Sequence, residues 1–383
     1  MGKNAKIRVG IVYGGQSAEH EISILSARNI LEALDRTRFE PFLIGIDKTG
    51  RWLIQNERNL LSSPRDPRQV RIESGPIMQL PSLTGDAPEG LAKSDKLDVI
   101  FPILHGTLGE DGSIQGLLEM AGIAYVGAGV LGSAIGMDKD VMKRLLRDAG
   151  IPVAAFRTVR RERFDASPTV VCEELAALGF PLFTKPANAG SSVGVRKVAA
   201  AELLEDAIRY ALGFDSKVLV EAAINGREIE LAVLGGDPAS VSIPGEIIVE
   251  HPDGFYSYEA KYVDDHGARL ETPARISAEL CARAQGLALR AFEVLECEGM
   301  ARVDLFLQAD EEIFVNEINT IPGFTAISMY PKLWALSGVT PTELVSRLID
   351  LALQRAKRRR QIRRSFPSES PNDESGAKLP NGP

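Results

Sequence analysis

Two segments in the C-terminal third of the chain set oxygen-bearing side chains among apolar residues. In FVNEIN, Glu317 and Asn319 are two residues apart, and alternation along a β-strand puts them on one face of a sheet. The strand-like ARVDLFL adds Asp304. Buried carboxylates require a cation or another partner, and ligation by oxygen alone suits magnesium held together with nucleotide phosphates. The alternative is a salt-bridge cluster in which Arg302 balances the carboxylates.

A Gly/Ser segment follows a lysine at the predicted end of another strand. KPANAGSSVG, residues 185–194, begins with Lys185, and the backbone N–H groups of such a segment can approach phosphate oxygens. The strand-like VGVRKV follows, so the segment is predicted to be a hairpin loop. It does not have the sequence of a Walker phosphate loop, which opens a helix. A plain Gly/Ser hairpin turn is the alternative.

GAGVLG, residues 127–132, has the GxGxxG spacing of a dinucleotide fingerprint. Such a fingerprint normally occupies the first βα turn, and an acidic residue ends the next strand about 20 residues on. Here Asp148 falls in a predicted helix instead. We therefore interpret this string as a turn and domain hinge.

Three lysines, Lys139, Lys185 and Lys261, lie in predicted loops or at element ends, where they can reach triphosphate oxygens. Any one of them is more simply a solvated surface lysine. The combination of separated lysines, a Gly/Ser loop and an oxygen-only metal cluster favours ATP chemistry.

The elements that must position these residues begin with a βαβ pattern. IRVGIVY, PFLIGID, LDVIFPIL and IAYVGAG are predicted strands, and SILSARNILEALD is a predicted helix. This alternation predicts a mostly parallel sheet with a ligand crevice at the carboxyl ends of its strands. His105 and the loop from Gly14 to Glu19 lie at such ends. The Pro-, Arg- and Ser-rich stretch 57–96 is predicted to be a loop or hairpin insertion.

The pattern changes near Met137. Helix, strand, Gly/Ser turn and helix then predict a second, smaller unit, and a third α+β unit follows with a long loop through Tyr262 and Asp265. RAKRRRQIRR and the Pro-, Ser- and Gly-rich end are predicted to be a helix that leads into disorder. The predicted domains are an N-terminal α/β substrate domain (1–136), a central lobe (137–222), a C-terminal lobe with the metal site (223–354) and a basic, disordered tail (355–383).

Composition excludes several classes of function. The 383 residues include 44 Lys and Arg against 52 Asp and Glu, a net charge of −8, which argues against a surface devoted to nucleic acid or anionic lipid. No apolar run approaches the roughly 18 residues of a membrane span. Three cysteines without a CxxC spacing predict reduced thiols and a cytoplasmic protein.

These strings together resemble the D-alanine:D-alanine ligases of the ATP-grasp superfamily, from about Ile7 to Leu353. The motifs that carry the resemblance occur in the family's order: GGQSAEHEIS (14–23), ILHGTLGEDGSIQG (103–116), MDK (137–139), KPANAGSSVGV (185–195), EAKY (259–262), ARVD (301–304) and NEINTIPGFT (316–325). The resemblance implies a fold of α/β and α+β units, in which an N-terminal parallel-sheet domain precedes a two-lobed ATP-grasp fold.

The resemblance also implies roles for substrate-binding and catalytic residues. Glu19 would hold the ammonium of the first D-alanine, and His105 would line that subsite. The expected closing triad is Glu19, Ser191 and Tyr262. Arg302 and the N–H of Gly323 would face the reacting carbonyl, and Ser328 would hold the carboxylate of the second D-alanine.

The resemblance also implies contacts to ATP and to metal ions. Lys139, Lys185 and Lys261 would bind phosphates under a loop containing Ser191 and Ser192. The adenine hinge would include Glu221 and Ile224, and Glu228 would bind the ribose hydroxyls. Two ions of Mg²⁺ or Mn²⁺ would be ligated by Asp304, Glu317 and Asn319.

The implied reaction joins two D-alanine molecules through an acyl phosphate, with release of ADP and phosphate, for peptidoglycan precursors. The expected partners are ATP and D-alanine, without nucleic acid or membrane, and the expected assembly is a homodimer. The alternatives are a D-alanine:D-lactate ligase or another ATP-grasp carboxylate-amine ligase. More distant alternatives are an NAD(P)-dependent oxidoreductase and a non-catalytic nucleotide-binding regulator.

Overall fold

Three β-sheets and their flanking helices make up the described part of the chain. The computed structural model describes residues 5–78, 96–250, 268–309 and 311–363. Lys261, Tyr262 and the other two residues of the EAKY segment (259–262) lie outside these residues. Within them, no helix is both long and apolar enough to cross a membrane.

The first sheet is mostly parallel, as predicted. Its strand order is β3-β2-β1-β4-β5, in which β3 pairs antiparallel with β2 and the other pairs are parallel. The strands are β1 (Ile7–Gly14), β2 (Phe39–Ile46), β3 (Trp52–Gln55), β4 (Val99–Ile103) and β5 (Ala124–Tyr125).

Side-chain alternation gives this sheet two buried faces. Ile11 and Phe101 belong to the core on one face, whereas Val12 and Ile100 belong to the core on the other. Buried faces on both sides explain why the strands appear in the sequence as continuous apolar runs. Three helices accompany them: α1 (His20–Ala33), α2 (Glu57–Ser62) and α3 (Ser113–Met120).

The second sheet is antiparallel and has the order β6-β9-β7-β8. Its strands are β6 (Phe156–Arg160), β7 (Leu182–Pro186), β8 (Arg196–Val198) and β9 (Lys217–Ala222). Two helices precede β6 in the chain: α4 (Val130–Met137) and α5 (Lys139–Asp148). Three more helices flank the strands of this sheet in sequence: α6 (Arg161–Ala166), α7 (Pro168–Ala176) and α8 (Leu204–Ala211). Leu204 and Ile208 of α8 pack with Val218 and Val220 of β9 in one core.

The third sheet is also antiparallel, with the order β13-β12-β10-β14-β15 and β11 paired to β10. Its strands are β10 (Gly226–Leu234), β11 (Ser240–Val241), β12 (Gly245–Val249), β13 (Ala268–Glu271), β14 (Met300–Gln308) and β15 (Ile313–Asn319). Three helices complete the fold: α9 (Ala278–Val294), α10 (Met329–Leu336) and α11 (Pro341–Arg360).

The final helix corrects the predicted start of the tail. The boundary between 354 and 355 falls inside α11, and Arg355 is buried. Its guanidinium donates to the carbonyl oxygens of Gly127 and Tyr125, each at 2.6 Å, and stacks over the Tyr125 ring. Leu344 and Leu348 of the same helix share a core with the first sheet. The sequence predicted a helix here but not its packing against the N-terminal sheet.

Two other predictions are wrong in part. The stretch predicted as a loop or hairpin insertion starts with the helix α2. Asn56 caps the N-terminus of this helix by accepting a hydrogen bond from Arg58 N–H. The region predicted as one long loop after β10 contains three strands, β11, β12 and β13, on either side of residues 251–267, which lie outside the described residues. Short strands carry too few residues to show a clear period of two.

Candidate functional site

One face of the third sheet carries a row of charged and polar side chains, which we term the carboxylate face. Strand register places Asp304 opposite both Glu230 and Glu317, and Arg302 opposite Asn319. The intervening residues Val303 and Leu305 point to the other face and are buried in the core. The carboxylate face comprises Glu228, Glu230, Arg302, Asp304, Glu317 and Asn319.

Arg302 lies at the centre of this face. Its Nε and Nη2 atoms donate to the two oxygens of Asp304, each at 2.7 Å, and Nε is 3.2 Å from Glu230 Oε2. Burial alone would lower the pKa of Arg302, but Asp304 and Glu230 outweigh it and raise that pKa above its ordinary value. The ion pair of the salt-bridge alternative is therefore present in the structure.

The same face offers oxygen donors of the kind that magnesium accepts. Asp304 and Glu317 are cross-strand neighbours, and Asn319 Nδ2 donates to Asp304 Oδ2 at 3.0 Å. The described part of the chain has no cluster of three or more His, Cys, Asp or Glu side chains placed to hold a metal ion. The set is instead two carboxylates and one amide, which fits Mg²⁺ because this ion commonly takes one or two carboxylates together with phosphate oxygens.

Facing these carboxylates is a lysine cluster, consisting of Lys139, Lys143 and Lys185. Lys139 is the first residue of α5, and Asp138 caps that helix by accepting from Asp140 N–H and Val141 N–H. Lys139 Nζ donates to Ala189 O at 2.7 Å and lies 3.9 Å from Glu317 Oε2. Lys139 thus connects the Gly/Ser loop with the carboxylate face.

Lys185 and Lys143 share the carboxylate of Glu221. Lys185 Nζ forms an ion pair with Glu221 Oε1, and Lys143 Nζ lies 2.9 Å from Glu221 Oε2. Burial alone would raise the pKa of Glu221, but the two lysines lower it to about 2. Glu221 lies near the end of β9, Ile224 lies in the connection to β10, and Glu228 lies on the carboxylate face. The expected adenine hinge is therefore the connection between the second and third sheets.

The Gly/Ser loop joins β7 to β8, so its topology is that of a hairpin. Ser191 and Ser192 have positive φ angles of 50° and 57°, a conformation that non-glycine residues rarely adopt. A Cβ atom added at Gly190 would lie 3.2 Å from Glu19 Oε2. The loop therefore approaches the N-terminal domain closely, which a plain surface hairpin does not do.

Glu19 has a second carboxylate in its neighbourhood, Glu110. The same Cβ position at Gly190 is 3.9 Å from Glu110 Oε2, which accepts a hydrogen bond from Gly106 N–H at 2.8 Å. Burial, with Glu19 adding to it, raises the pKa of Glu110 to about 8. Glu110 belongs to the HGTLGEDG string, but nothing in its local sequence pattern assigns it a role.

His105 connects the N-terminal domain with the segment that follows β15. Its Nδ1 is 3.0 Å from Ile321 O and its Nε2 is 3.1 Å from Ser26 Oγ. Phe324 N–H donates to the same Ser26 oxygen, and Asn29 Nδ2 donates to Phe324 O. Burial lowers the pKa of His105, so the ring is neutral at pH 7, with Nδ1 as the donor and Nε2 as the acceptor.

These hydrogen bonds fix the segment that carries Gly323 and Ser328. Ser328 directly precedes α10, and its Oγ accepts from Thr325 N–H at 3.0 Å. A Cβ atom added at Gly323 would lie 2.8 Å from Ser328 Oγ. The two predicted substrate-facing groups are thus direct neighbours.

The glycines of GAGVLG have a packing role. A Cβ atom at Gly132 would lie 2.5 Å from Glu296 O, and Gly127, at a φ of 95°, offers its carbonyl to Arg355. These close backbone approaches require glycine. The turn is part of the contact between α4, the segment before β14 and α11.

Sequence reasoning did not assign several residues that the structure brings to this site. Glu230 could have been found from its spacing, because it is two residues from Glu228 on one strand. Lys143 could have been found one helical turn after Lys139. Ser26 and Asn29 lie in the middle of α1 and show no comparable signal.

Two solved structures that share this fold are ligases. The D-alanine-D-alanine ligase from Coxiella burnetii matches with a TM-score of 0.77 and 36% identity over 93% of this chain and 96% of that chain. The VanG D-Ala:D-Ser ligase from Enterococcus faecalis matches with a TM-score of 0.77 and 35% identity over 91% of this chain and 100% of that chain. The fold and the site together define an ATP-grasp ligase.

Sequence comparisons give the family. The family models for the D-ala D-ala ligase N-terminus and C-terminus match residues 8–128 and 145–350. D-Alanine–D-alanine ligase from Oceanobacillus iheyensis is 51% identical over 94% of this chain and 99% of that protein. D-Alanine–D-alanine ligase A from Chromobacterium violaceum is 52% identical over the same shares, 94% and 99%. The chain belongs to the D-alanine–D-alanine ligase family.

Proposed function

We propose that this protein joins two D-alanine molecules to D-alanyl-D-alanine with ATP as co-substrate, and that it does so as a cytoplasmic homodimer that supplies peptidoglycan precursors. The observation that carries the proposal is the meeting of all three sheets at one place. Lys139 links the Gly/Ser loop to Glu317, and the same loop approaches Glu19 at Gly190.

The phosphates of ATP bind between the Gly/Ser loop and two members of the lysine cluster, Lys139 and Lys185. Lys139 and Lys185 come from different elements, and they lie 3.9 Å from Glu317 and 3.5 Å from Asn316, which are adjacent residues of β15. This placement suits a chain of phosphates laid along that strand. Ser191 and Ser192 close the loop over the nucleotide. Lys261 and Tyr262 keep the roles that the resemblance implies, as part of this proposal.

Asp304, Glu317 and Asn319 are the residues that would hold magnesium. The bound ion would neutralise phosphate charge during transfer of the γ-phosphoryl group. The Asp304 carboxylate stays oriented for this because Arg302 and Asn319 both donate to it.

The first D-alanine lies with its ammonium on Glu19. An oxygen of its carboxylate attacks the γ-phosphorus, the bond to the bridging oxygen breaks, and ADP leaves. The acyl phosphate then has a leaving group that a free carboxylate lacks.

The second D-alanine lies with its carboxylate on Ser328. Its amine, after losing a proton, attacks the acyl carbon, and phosphate departs when the tetrahedral intermediate collapses. Arg302 and the Gly323 N–H stabilise the developing oxyanion, and they are effective because both are already fixed, Arg302 by its ion pairs and Gly323 through the Ser26 and His105 contacts of its segment.

The test is ADP release measured with D-alanine, L-alanine or no amino acid, with the products identified by mass. The proposal predicts ADP release and a dipeptide with D-alanine only. Mixtures of D-alanine with D-serine or D-lactate define the second substrate. A mixed product formed in preference to D-alanyl-D-alanine would overturn the substrate assignment, and ADP release without any ligated product would overturn the ligase assignment.

A further inference from the structure

Lys143 is a buried cation for which neither the motifs nor the proposed reaction provides a role. It lies one turn after Lys139 on α5, and its side chain is 1% exposed. Its Nζ is 2.9 Å from Glu221 Oε2, at ion-pair distance. Burial lowers the pKa of Lys143, and Glu221 opposes that change because it stabilises the ammonium form.

Glu221 has a second cation on its other oxygen. Lys185 Nζ forms an ion pair with Glu221 Oε1 and lies 3.5 Å from Asn316 Oδ1. One buried carboxylate therefore lies between two ammonium groups, and the pKa of Glu221, which the two lysines lower to about 2, shows that it stays ionised at neutral pH. A single lysine would be enough to neutralise it.

The second lysine becomes necessary when ATP binds. Under the proposed function, Lys185 contacts nucleotide phosphates, so its ammonium must turn at least partly away from Glu221. A buried carboxylate that loses its only cation is strongly destabilised. We infer that Lys143 is a positioning residue that keeps Glu221 neutralised and in place while Lys185 transfers from this carboxylate to the phosphates. This inference rests on the proposed function.

The surroundings of Lys143 fit a cation that stays where it is. The start of α5 is held by the Asp138 cap, and the buried Lys217 donates to Asp138 Oδ1 at 2.7 Å. Lys139, on the same helix, is directed to Ala189 and Glu317. Lys185, by contrast, lies at the end of β7, directly before the Gly/Ser loop. Of the two partners of Glu221, Lys185 is therefore the one next to the phosphates.

The test compares a ligand without phosphates, adenosine, with one that has them, Mg·ATP. Equilibrium binding of adenosine and of Mg·ATP is measured by calorimetry, without D-alanine, for wild type and Lys143→Met. The control is Arg147→Met, which removes one positive charge from an exposed position on the same helix. We expect adenosine affinity to change little and Mg·ATP affinity to fall about tenfold or more, which corresponds to about 1.4 kcal/mol. Equal losses for both ligands would reduce Lys143 to a structural residue and overturn the inference.

Glu221→Gln gives an independent measurement if Lys143→Met folds poorly. Without the carboxylate, Lys185 is released from its ion pair and Lys143 has nothing to neutralise. In this background, Lys143→Met should no longer change the ratio of Mg·ATP to adenosine affinity, and a double-mutant cycle measures the coupling directly. Additive effects would overturn the inference. Failure of the wild-type protein to bind Mg·ATP would instead contradict the proposed function.

Discussion

The carboxylate face and the lysine cluster carry opposite charges and are built in opposite ways. The carboxylate face lies within one sheet, where strand register brings Glu230, Asp304 and Glu317 side by side. The lysine cluster is assembled from a helix and a strand of the second sheet, and ion pairs and a backbone contact hold its members in place. Strand register sets the geometry of the first region, whereas in the second, under the inference above, Lys185 exchanges Glu221 for phosphate. The carboxylates expected to bind metal are thus held by the sheet itself, whereas the lysines expected to bind phosphate are held by ion pairs and a backbone contact.

The largest expected effect comes from removing the centre of the carboxylate face. Arg302→Ala should lower kcat by about 10² to 10³, because a preorganised donor to the oxyanion is lost. Asp304 and Glu230 also lose their cation, so folding is checked by circular dichroism. Arg302→Lys keeps the charge without the paired geometry and should be intermediate. Turnover of Arg302→Ala near that of wild type would remove Arg302 from catalysis.

A change at one oxygen donor should have a smaller and more specific effect. Glu317→Gln keeps the shape of the side chain but removes a charge from the set that fits magnesium, so the Mg²⁺ concentration at half-maximal rate should rise about tenfold. Glu312→Gln, at an exposed position just before β15, is the control. Superimposable magnesium titrations for the two variants would contradict a role of Glu317 in metal binding and would favour the salt-bridge alternative.

The raised pKa of Glu110, a residue close to the Gly/Ser loop, predicts that the free energy of unfolding depends on pH. Its pKa is raised to about 8 in the folded protein, mainly by burial and further by Glu19, whereas an unfolded glutamate has a pKa of about 4.3. The folded state therefore holds a proton that the unfolded state releases, and the stabilisation is complete below that unfolded pKa and lost as pH rises towards 8. Glu110→Gln stays neutral throughout, so its stability relative to wild type should increase from pH 5 to pH 8 in urea unfolding. The exposed Glu40→Gln serves as the control, and parallel pH profiles for wild type and Glu110→Gln would contradict the assignment.

The smallest expected effect on turnover comes from a residue that belongs to neither region. Arg355→Met removes a buried guanidinium that donates to two backbone carbonyls, so stability should fall by about 2 to 4 kcal/mol while kcat at low temperature stays within about twofold. Lys357→Met, two residues later on α11, is the control. A large loss of turnover in folded Arg355→Met would mean that the contact between α11 and β5 shapes the site.

The contrast between the two regions also explains how far the sequence predicts the site. Residues on the carboxylate face follow the period of two along strands, so Asp304, Glu317 and Asn319 could be placed together from the sequence alone. The parallel sheet followed from continuous apolar strands alternating with helices. The ion pairs of Lys143 and Lys185 with Glu221 join residues far apart in sequence, and no local pattern encodes them. The same holds for Arg355, whose position in an arginine-rich run suggested a basic, disordered tail although its guanidinium is buried.

The central claim is that ATP activates the carboxylate of the first D-alanine by phosphorylating it. The most direct test uses D-alanine labelled with ¹⁸O in its carboxylate and mass analysis of the phosphate released. Attack of a carboxylate oxygen on the γ-phosphorus predicts one ¹⁸O atom in inorganic phosphate for each dipeptide formed. Unlabelled phosphate, or ¹⁸O appearing in AMP, would contradict the account.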